Sequence, residues 1–516
     1  MLYSYASNRP RSKFASTLFG LTVALSASAC AGEETSPVGG AAAALSATVS
    51  STVQTPTLIN YDDAPRTPDP DDPAIWHGPH GAALVIVTMK EAGMQVYSAT
   101  GALLQTIKPH YRPAMSPDDP PTPGGPDGGT PACPYSTTGE DFSRYNNVDV
   151  HHDFPVRVNG RTRKIDIAVV SDRGCDELRI FEIDPSRSGG PLFDVTASNT
   201  PRVFPTRYEQ PSPIQSPGEP NVLVPDNDLD DENTAYGLTL GQLSSHGPVM
   251  AFATQAGRAV VGELELRDAG NGRVTYRRVR EYRFNPTFRI RSGSGHGKIT
   301  WSSCREDASE DPQFEGLVVD EDAGVLYAAQ ETVGVWRIRL RSNAGSVVNV
   351  AADNLIEPTL SFGAAYWAVP DDDEFSCEDE APDAPFPDGT IVAAGNPDLG
   401  GEWLEADVEG VELYDAGCGE GYLIVSSQGD NTFHVFDRER PTRHLGVFEV
   451  DGAGETDGLE ITPYAMGPLF PHGALVIQSG NAPEPDNTDP INGYEYDGAA
   501  RFEYVAWPVI ADALDL

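Results

Sequence analysis

Cations are scarce in this chain. Its 516 residues hold 35 Lys and Arg against 77 Asp and Glu, a formal charge of −42. A field of that sign repels nucleic acid and anionic membrane surfaces, so neither is expected as a partner. Histidine (10 residues) and cysteine (6) are also few, and no two cysteines have the C-x-x-C spacing of a zinc site. His151-His152 and His434 read as surface or turn residues. Long amphipathic helical stretches are rare, which excludes a helical bundle. Beyond the N-terminus no apolar run is long enough to span a bilayer as a helix.

What remains is short apolar runs punctuated by 51 Gly, 44 Pro and many Asn and Asp, with 39% apolar residues overall. That is the texture of an all-β globular protein. A two-part phrase recurs six times. Its first part is a strand that opens polar and turns apolar: Asp71-Asp72-Pro73-Ala74-Ile75-Trp76, Asn146-Asn147-Val148-Asp149-Val150, Tyr236-Gly237-Leu238-Thr239-Leu240, Glu315-Gly316-Leu317-Val318-Val319, Asp407-Val408-Glu409-Gly410-Val411 and Asp457-Gly458-Leu459-Glu460-Ile461. A buried-looking run follows each, at residues 83–88, 165–171, 249–254, 325–330, 422–427 and 474–478. A third run follows in most copies, several with a central aromatic (Tyr97, Phe181, Trp336, Phe436). Units of three or four antiparallel strands repeated about an axis predict a six-bladed β-propeller over residues 56–516. Residues 55–61 are read as an extra strand that closes the ring.

The N-terminus reads as an export signal over residues 1–29. Arg9, Arg11 and Lys13 precede an apolar stretch at residues 14–29, and Ala27-Ser28-Ala29-Cys30 resembles a bacterial lipobox. Lipidation at Cys30, giving an outer-membrane or cell-surface lipoprotein, and plain secretion are the two outcomes. Residues 30–55, rich in Ala, Ser, Thr and Gly, are expected to form a flexible tether. The other five cysteines allow two disulfides with one left over. Residues 112–143, 205–233, 291–312 and 370–405 are expected to be long loops. Asp226, Asp228 and Asp230 alternate as in a calcium loop, but Asp231 stands where the glycine of an EF-hand is needed, so this is read as a solvated acidic loop. Gly293-Ser294-Gly295-His296-Gly297-Lys298 lacks Walker spacing and is also read as a loop.

First strands of propeller blades line the central channel, and second strands return to the same face. The polar openings therefore gather at one mouth: Asp72, Asp149, Glu315, Asp407, Glu409 and Asp457, with Asp71 beside them. The second strands end on Lys90, Arg173, Gln255, Glu331, Gln428 and Gln478. Carboxylates so crowded cannot all stay ionised without compensation. Oxygen donors without His or Cys favour calcium. Lys90 and Arg173 beside calcium describe a site for a highly anionic ligand.

These phrases closely resemble the β-propeller phytases, a family of calcium-dependent secreted phosphatases. The resemblance rests on DDPAIW (71–76), NNVDV (146–150), Tyr236-Gly237-Leu238, Phe314-Glu315-Gly316, Val408-Glu409-Gly410, YLIVSSQG (422–429) and Thr456-Asp457-Gly458, in order over residues 60–480. It implies a monomeric phosphoric monoester hydrolase of the 3-phytase type. Such an enzyme removes phosphate from phytate (myo-inositol hexakisphosphate) or its calcium salt without a covalent intermediate. By the same resemblance Asp71, Asp72, Asp149, Glu315, Glu331, Asp407, Glu409, Gln428 and Asp457 would hold several calcium ions. A water bridging two ions would attack, with Glu315, Asp407, Glu409 and Gln428 nearest the chemistry. Lys90, Arg173 and Tyr236 would grip phosphates. Two departures bear on the second phosphate site: Gln255 replaces a frequent lysine, with Arg258 three residues on as its substitute, and Gln313-Phe314 replaces Gln-Thr.

Rival phosphatase motifs are absent. Arg443-His444-Leu445-Gly446 is the nearest approach to Arg-His-Gly-x-Arg and fails, and no Cys is followed six positions later by Arg. Two other classes remain open: a non-catalytic calcium-stabilised propeller that binds a surface partner or glycan, and another calcium-dependent propeller hydrolase such as a lactonase. Neither a neutral glycan nor a lactone needs Lys90 and Arg173.

Overall fold

The computed structural model describes residues 45–516 except 63, 115–127, 137–138, 206–228, 230–232, 296, 305–310, 342–344, 372–373, 379–390, 393–394, 486–487 and 492. The export signal, Cys30 and the Asp226, Asp228, Asp230 loop lie outside the described residues.

Strands such as Ala83–Thr88 and Val325–Gln330 are apolar at nearly every position because both of their faces are covered. In the first blade Leu84 and Ile86 pack toward the second blade, while Val85 and Val87 pack toward the sixth. This is the two-residue alternation of a strand set between two neighbours. Each pair of adjacent blades closes around its own apolar cluster, so six cores stand around the ring.

The blades follow chain order. The first is Pro73–His77, Ala83–Thr88, Met94–Ser98 and Leu103–Ile107, and the second Tyr145–Val158, Arg161–Asp172, Glu177–Ile183 and Leu192–Asp194. The third is Ala235–Gly241, Met250–Gln255, Arg258–Gly270 and Arg273–Arg283, with Val347–Asn349 added in parallel. The fourth is Phe314–Asp320, Val325–Gln330, Gly334–Arg339 and Leu355–Pro358. The fifth runs Val408–Gly417, Glu420–Ser427, Thr432–Asp437 and His444–Val450, and the sixth Leu459–Thr462, Ala474–Ser479 and Tyr496–Ala506. The six innermost strands pack in sequence, and the last meets the first. The fold is a six-bladed β-propeller.

Residues 45–55 differ from the expected tether. Leu45–Val49 forms the outer strand of the fifth blade, parallel to His444–Val450, and Val53–Gln54 the outer strand of the sixth. The next segment, Leu58–Tyr61, also pairs with Tyr496–Ala506. Ala-Ser-Thr composition suggested flexibility, yet Val49 is 3% exposed and packs in the fifth-to-sixth core. The expected long loops also hold strands: Lys298–Trp301 pairs with Phe288–Arg291, and Trp367–Asp371 with Glu374–Glu378 and Ile391–Val392. The one described α-helix, Trp507–Leu514, lays Trp507, Ile510 and Leu514 on the fifth-to-sixth core. No described helix is long and apolar enough to cross a membrane.

Candidate functional site

The innermost strands of the second to fifth blades all begin with the same irregularity. Pairing slips between Tyr145 and Val148, Ala235 and Leu238, Phe314 and Leu317, and Val408 and Val411. Each slip is a bulge, which frees two residues from the ladder and re-aims their side chains. The freed pairs are Asn146-Asn147, Tyr236-Gly237, Glu315-Gly316 and Glu409-Gly410. The glycines are there for closeness. A Cβ on Gly237 would stand 1.9 Å from the Glu315 carbonyl oxygen, and one on Gly316 2.2 Å from that of Glu409. At these two positions only glycine lets consecutive blades come together around so narrow an axis.

Glu315 is the centre of the cluster. Its Oε2 accepts from the Tyr236 hydroxyl at 2.7 Å and its Oε1 from Asn146 Nδ2 at 3.1 Å. Carboxylate oxygens of Glu315, Glu331 and Glu409 all lie within 4.8 Å of one another. Glu331 Oε1, Glu409 Oε2 and Asp71 Oδ1 are buried and have no hydrogen-bond partner. Buried acceptors are rarely left so, and two within the glutamate cluster, with Asp71 near enough for Glu315 to raise its pKa, point to a cation that takes their lone pairs.

Flanking groups converge from the other blades. Asp72 Oδ2 accepts from the Val148 amide at 2.9 Å. Lys90 Nζ lies 2.9 Å from Asp69 Oδ2 and 3.6 Å from Asp71 Oδ2. Gln428 Nε2 donates to Asp457 Oδ1 at 2.7 Å, and the Asp457 amide donates to Gln478 Oε1 at 3.1 Å. The Arg173 guanidinium carbon stands 4.9 Å from the centre of the Tyr236 ring. Asp407 is close enough to raise the pKa of Glu331.

Burial first, and then the neighbouring carboxylates, push Asp71, Glu331 and Glu409 well above the usual carboxylate range. Burial also raises Asp457, to about 8; Lys90 opposes the rise and Glu315 adds to it. Without a cation these acids keep protons that a divalent ion would displace. The sign for stability follows. A carboxyl whose folded pKa exceeds its ordinary 3.8 binds more protons folded than unfolded, so stability falls as pH rises between the two values. Chelator-treated protein is therefore expected to lose roughly 5 °C or more in Tm between pH 5 and pH 8, and millimolar calcium to cancel the loss. Calorimetry at matched ionic strength checks this; identical pH profiles with and without calcium would contradict it.

Three residues stand elsewhere than expected: Asp149, Arg258 and His434. Asp149 is not part of the glutamate cluster, although it lines the same channel as Asp72 and raises the pKa of that acid. It stands past the bulge, paired with Val169, and its Oδ2 accepts from the Leu240 amide at 2.6 Å and Thr239 Oγ1 at 3.1 Å. It belongs to a deeper layer with Glu412 and Glu460, facing a cavity of about 300 Å³ at the far end of the inner strands. The register slip is the reason, because it gives the mouth position of the second blade to Asn146 and Asn147. Gln255 supplies no charge and its Nε2 is held by the Asn233 carbonyl at 2.8 Å, while Arg258 donates to the carbonyl of Gly257 in the adjacent turn. His434 is neither a surface nor a turn residue. It is 4% exposed within Thr432–Asp437, and its Nδ1 lies 2.9 Å from His444 Nε2. Two residues that the sequence reading did not single out stand here: Asp69, paired with Lys90, and Asn146. Asn146 opens the NNVDV phrase, and its alignment with Tyr236 and Glu315 was the signal that could have found it.

Comparison with known proteins agrees with the resemblance. The family model described as Phytase matches residues 361–516, within the last two blades and the segment before them. A 3-phytase of Bacillus subtilis (strain 168) is 26% identical over 476 residues, 90% of this chain and 85% of that protein. Among solved structures, Penicillium chrysogenum α-L-arabinanase is similar at 9% identity and a TM-score of 0.36, over 87% of this chain and 98% of that one. The α-L-arabinofuranosidase of Fusarium graminearum is similar at 9% and 0.35, over 87% and 98%. Likenesses that weak bear on no argument, and the blade count stands on the six sheets.

Proposed function

From the premise that this chain is an enzyme of phytase type, we propose that it releases phosphate from phytate with calcium held at the acid-lined mouth. The observation that carries this reading is the Glu315, Glu331 and Glu409 cluster, with its unpartnered buried oxygens, beside Arg173 and Lys90. The donor set suits calcium: it is all oxygen, and acids in excess of local cations leave room for divalent charge. Asp71, Asp72, Glu315, Glu331, Asp407, Glu409, Gln428 and Asp457 would hold the ions. When bound, calcium supplies water activation and neutralises charge developing on phosphoryl oxygens.

The side chains themselves bind and orient. Arg173 offers a planar fork suited to a phosphate, and Lys90 a compact charge. Lys90 is presently held by Asp69 and Asp71, whose carboxylates outweigh burial and keep it protonated. Calcium on Asp71 would leave that ammonium for substrate. Burial and the neighbouring carboxylates raise the Tyr236 phenol well above its usual range, so it stays a donor. It fixes the Glu315 carboxylate from one side while Asn146 fixes it from the other.

The expected result is phosphate release from phytate near neutral pH with millimolar calcium, lost on chelation and restored by added calcium. Release that persists in excess chelator would remove calcium from the proposal, and no release under any condition would remove phytate. Export belongs to the same proposal and rests on residues 1–30. Acyl labelling that disappears in Cys30→Ala separates a lipoprotein from a secreted enzyme.

A further inference from the structure

Arg173 does not sit on a bare turn. It opens the single 3-10 turn Arg173–Cys175 between the second and third strands of the second blade. Cys175 is disulfide-bonded to Cys133, from the long insert between the first and second blades, with Cα atoms 5.5 Å apart. Both cysteines are buried. They pack with Leu229, from the insert between the second and third blades, and against Tyr111. Two inserts thus meet behind the one turn that presents the phosphate-binding guanidinium.

The rest of the turn is held as closely. A Cβ on Gly174 would lie 1.8 Å from the Phe142 carbonyl oxygen, so residues 142–144 press directly on it. The Arg173 amide donates to the Arg144 carbonyl at 2.7 Å, and the Thr234 hydroxyl donates to the Arg173 carbonyl. Asp172, before the turn, accepts from Ser143 Oγ at 2.7 Å and the Arg144 amide at 3.0 Å. Asp176, after it, accepts from Arg202 Nε at 2.8 Å and the Ala235 amide at 3.2 Å. The Cys133 amide donates to the Asp141 carbonyl at 2.9 Å, tying the disulfide to the segment that holds Asp172. A lattice this dense fixes the direction in which the Arg173 side chain leaves the backbone. The guanidinium then stands over Tyr236, the residue that orients Glu315.

We infer that the Cys133–Cys175 disulfide is a positioning device for substrate recognition: by tying the inter-blade insert to the Arg173 turn, it sets where the guanidinium meets a substrate phosphate. The inference rests on the phytate reading. It assigns Cys133 and Cys175 to affinity for the polyanion and not to the chemical step. A small displacement of a binding group costs affinity steeply, so the effect appears in KM while kcat is kept.

The test compares the full chain with Cys133→Ala/Cys175→Ala, Arg173→Ala and the triple variant. Steady-state kinetics on phytate with calcium are read beside calorimetric binding of inorganic phosphate. Expected is a rise of about tenfold in KM and in the phosphate Kd for the cysteine variant, kcat within about twofold, and no further rise when Arg173 is already alanine. Unchanged KM and Kd, a parallel fall in kcat, or the same extra loss in the Arg173→Ala background would overturn the inference, since a general scaffold role gives one of these. If the alanine pair does not fold, Cys133→Ser/Cys175→Ser breaks the same tie while keeping most of the buried side-chain volume. That variant must then show the same KM-selective loss, and its absence overturns the inference. Wild-type protein inactive on phytate with calcium would sink the phytate reading instead, so the two failures are distinct.

Discussion

Replacing Glu409 with glutamine is expected to lower phosphate release from phytate by about a hundredfold or more while raising the Tm of the calcium-free protein. The two effects have one cause. Glu409 is 5% exposed, its Oε2 has no hydrogen-bond partner, and Glu315 and Glu331 lie close by. With no cation present, that crowding destabilises the fold, and a neutral amide of the same shape relieves it. With calcium present, the same carboxylate would be a ligand on the proposed reading, and the amide gives up both its charge and one acceptor atom. Phosphate release with saturating calcium, and melting in chelator, are the paired measurements. Full activity in the variant would remove Glu409 from the site. Lost activity together with a lowered calcium-free Tm would mark Glu409 as a packing residue only.

Deleting residues 1–57 is expected to cost roughly 5 kcal/mol or more, with a Tm fall of roughly 10 °C or a chain that aggregates. The deletion removes Leu45–Val49 and Val53–Gln54, which complete the fifth and sixth blades. It takes away buried Val49 and opens two sheet edges. It also removes Thr55, whose hydroxyl accepts from the Phe502 amide at 2.9 Å, and Gln54, which donates to Glu503 at 3.1 Å. Glu503 is fully buried and Arg501 holds its Oε1 at 2.7 Å, so losing Gln54 removes the donor to its Oε2. Deleting only residues 1–44 is the control. Urea unfolding followed by tryptophan fluorescence reads both, and equal midpoints would show that the N-terminal strands do not close the ring.

Most of the architecture was legible from local pattern. Fully buried strands between two neighbours must be apolar on both faces, and runs such as residues 83–88 and 325–330 say so without any tertiary information. Six such runs, each preceded by a polar-to-apolar strand, carry the blade number. The closing strand expected at residues 55–61 is there, at Leu58–Tyr61, but Leu45–Val49 and Val53–Gln54 fall in the expected tether, because composition reports propensity and not partners. An Ala-Ser-Thr segment is a poor strand alone, but five residues of it have a waiting edge in His444–Val450. The insert strands were missed for a similar reason, since they pair only with one another.

At the mouth, residue types alone pointed to a site that could hold a metal ion: carboxylates recurring at one strand position, oxygen donors without His or Cys, and two cations nearby. Which acids meet depended on register. A bulge at the start of four inner strands turns Asn146, Tyr236, Glu315 and Glu409 toward the axis and leaves Asp149 in a deeper layer, and a one-residue slip cannot be read from a strand in isolation. The disulfide partner of Cys175 was equally hidden, because a sequence separation of 42 places no constraint on which sulfur arrives. The sequence by itself determined how many blades there are and what ligand chemistry they present. Only the tertiary structure decided which side chains share a volume, since that depends on distances between blades that no local pattern encodes.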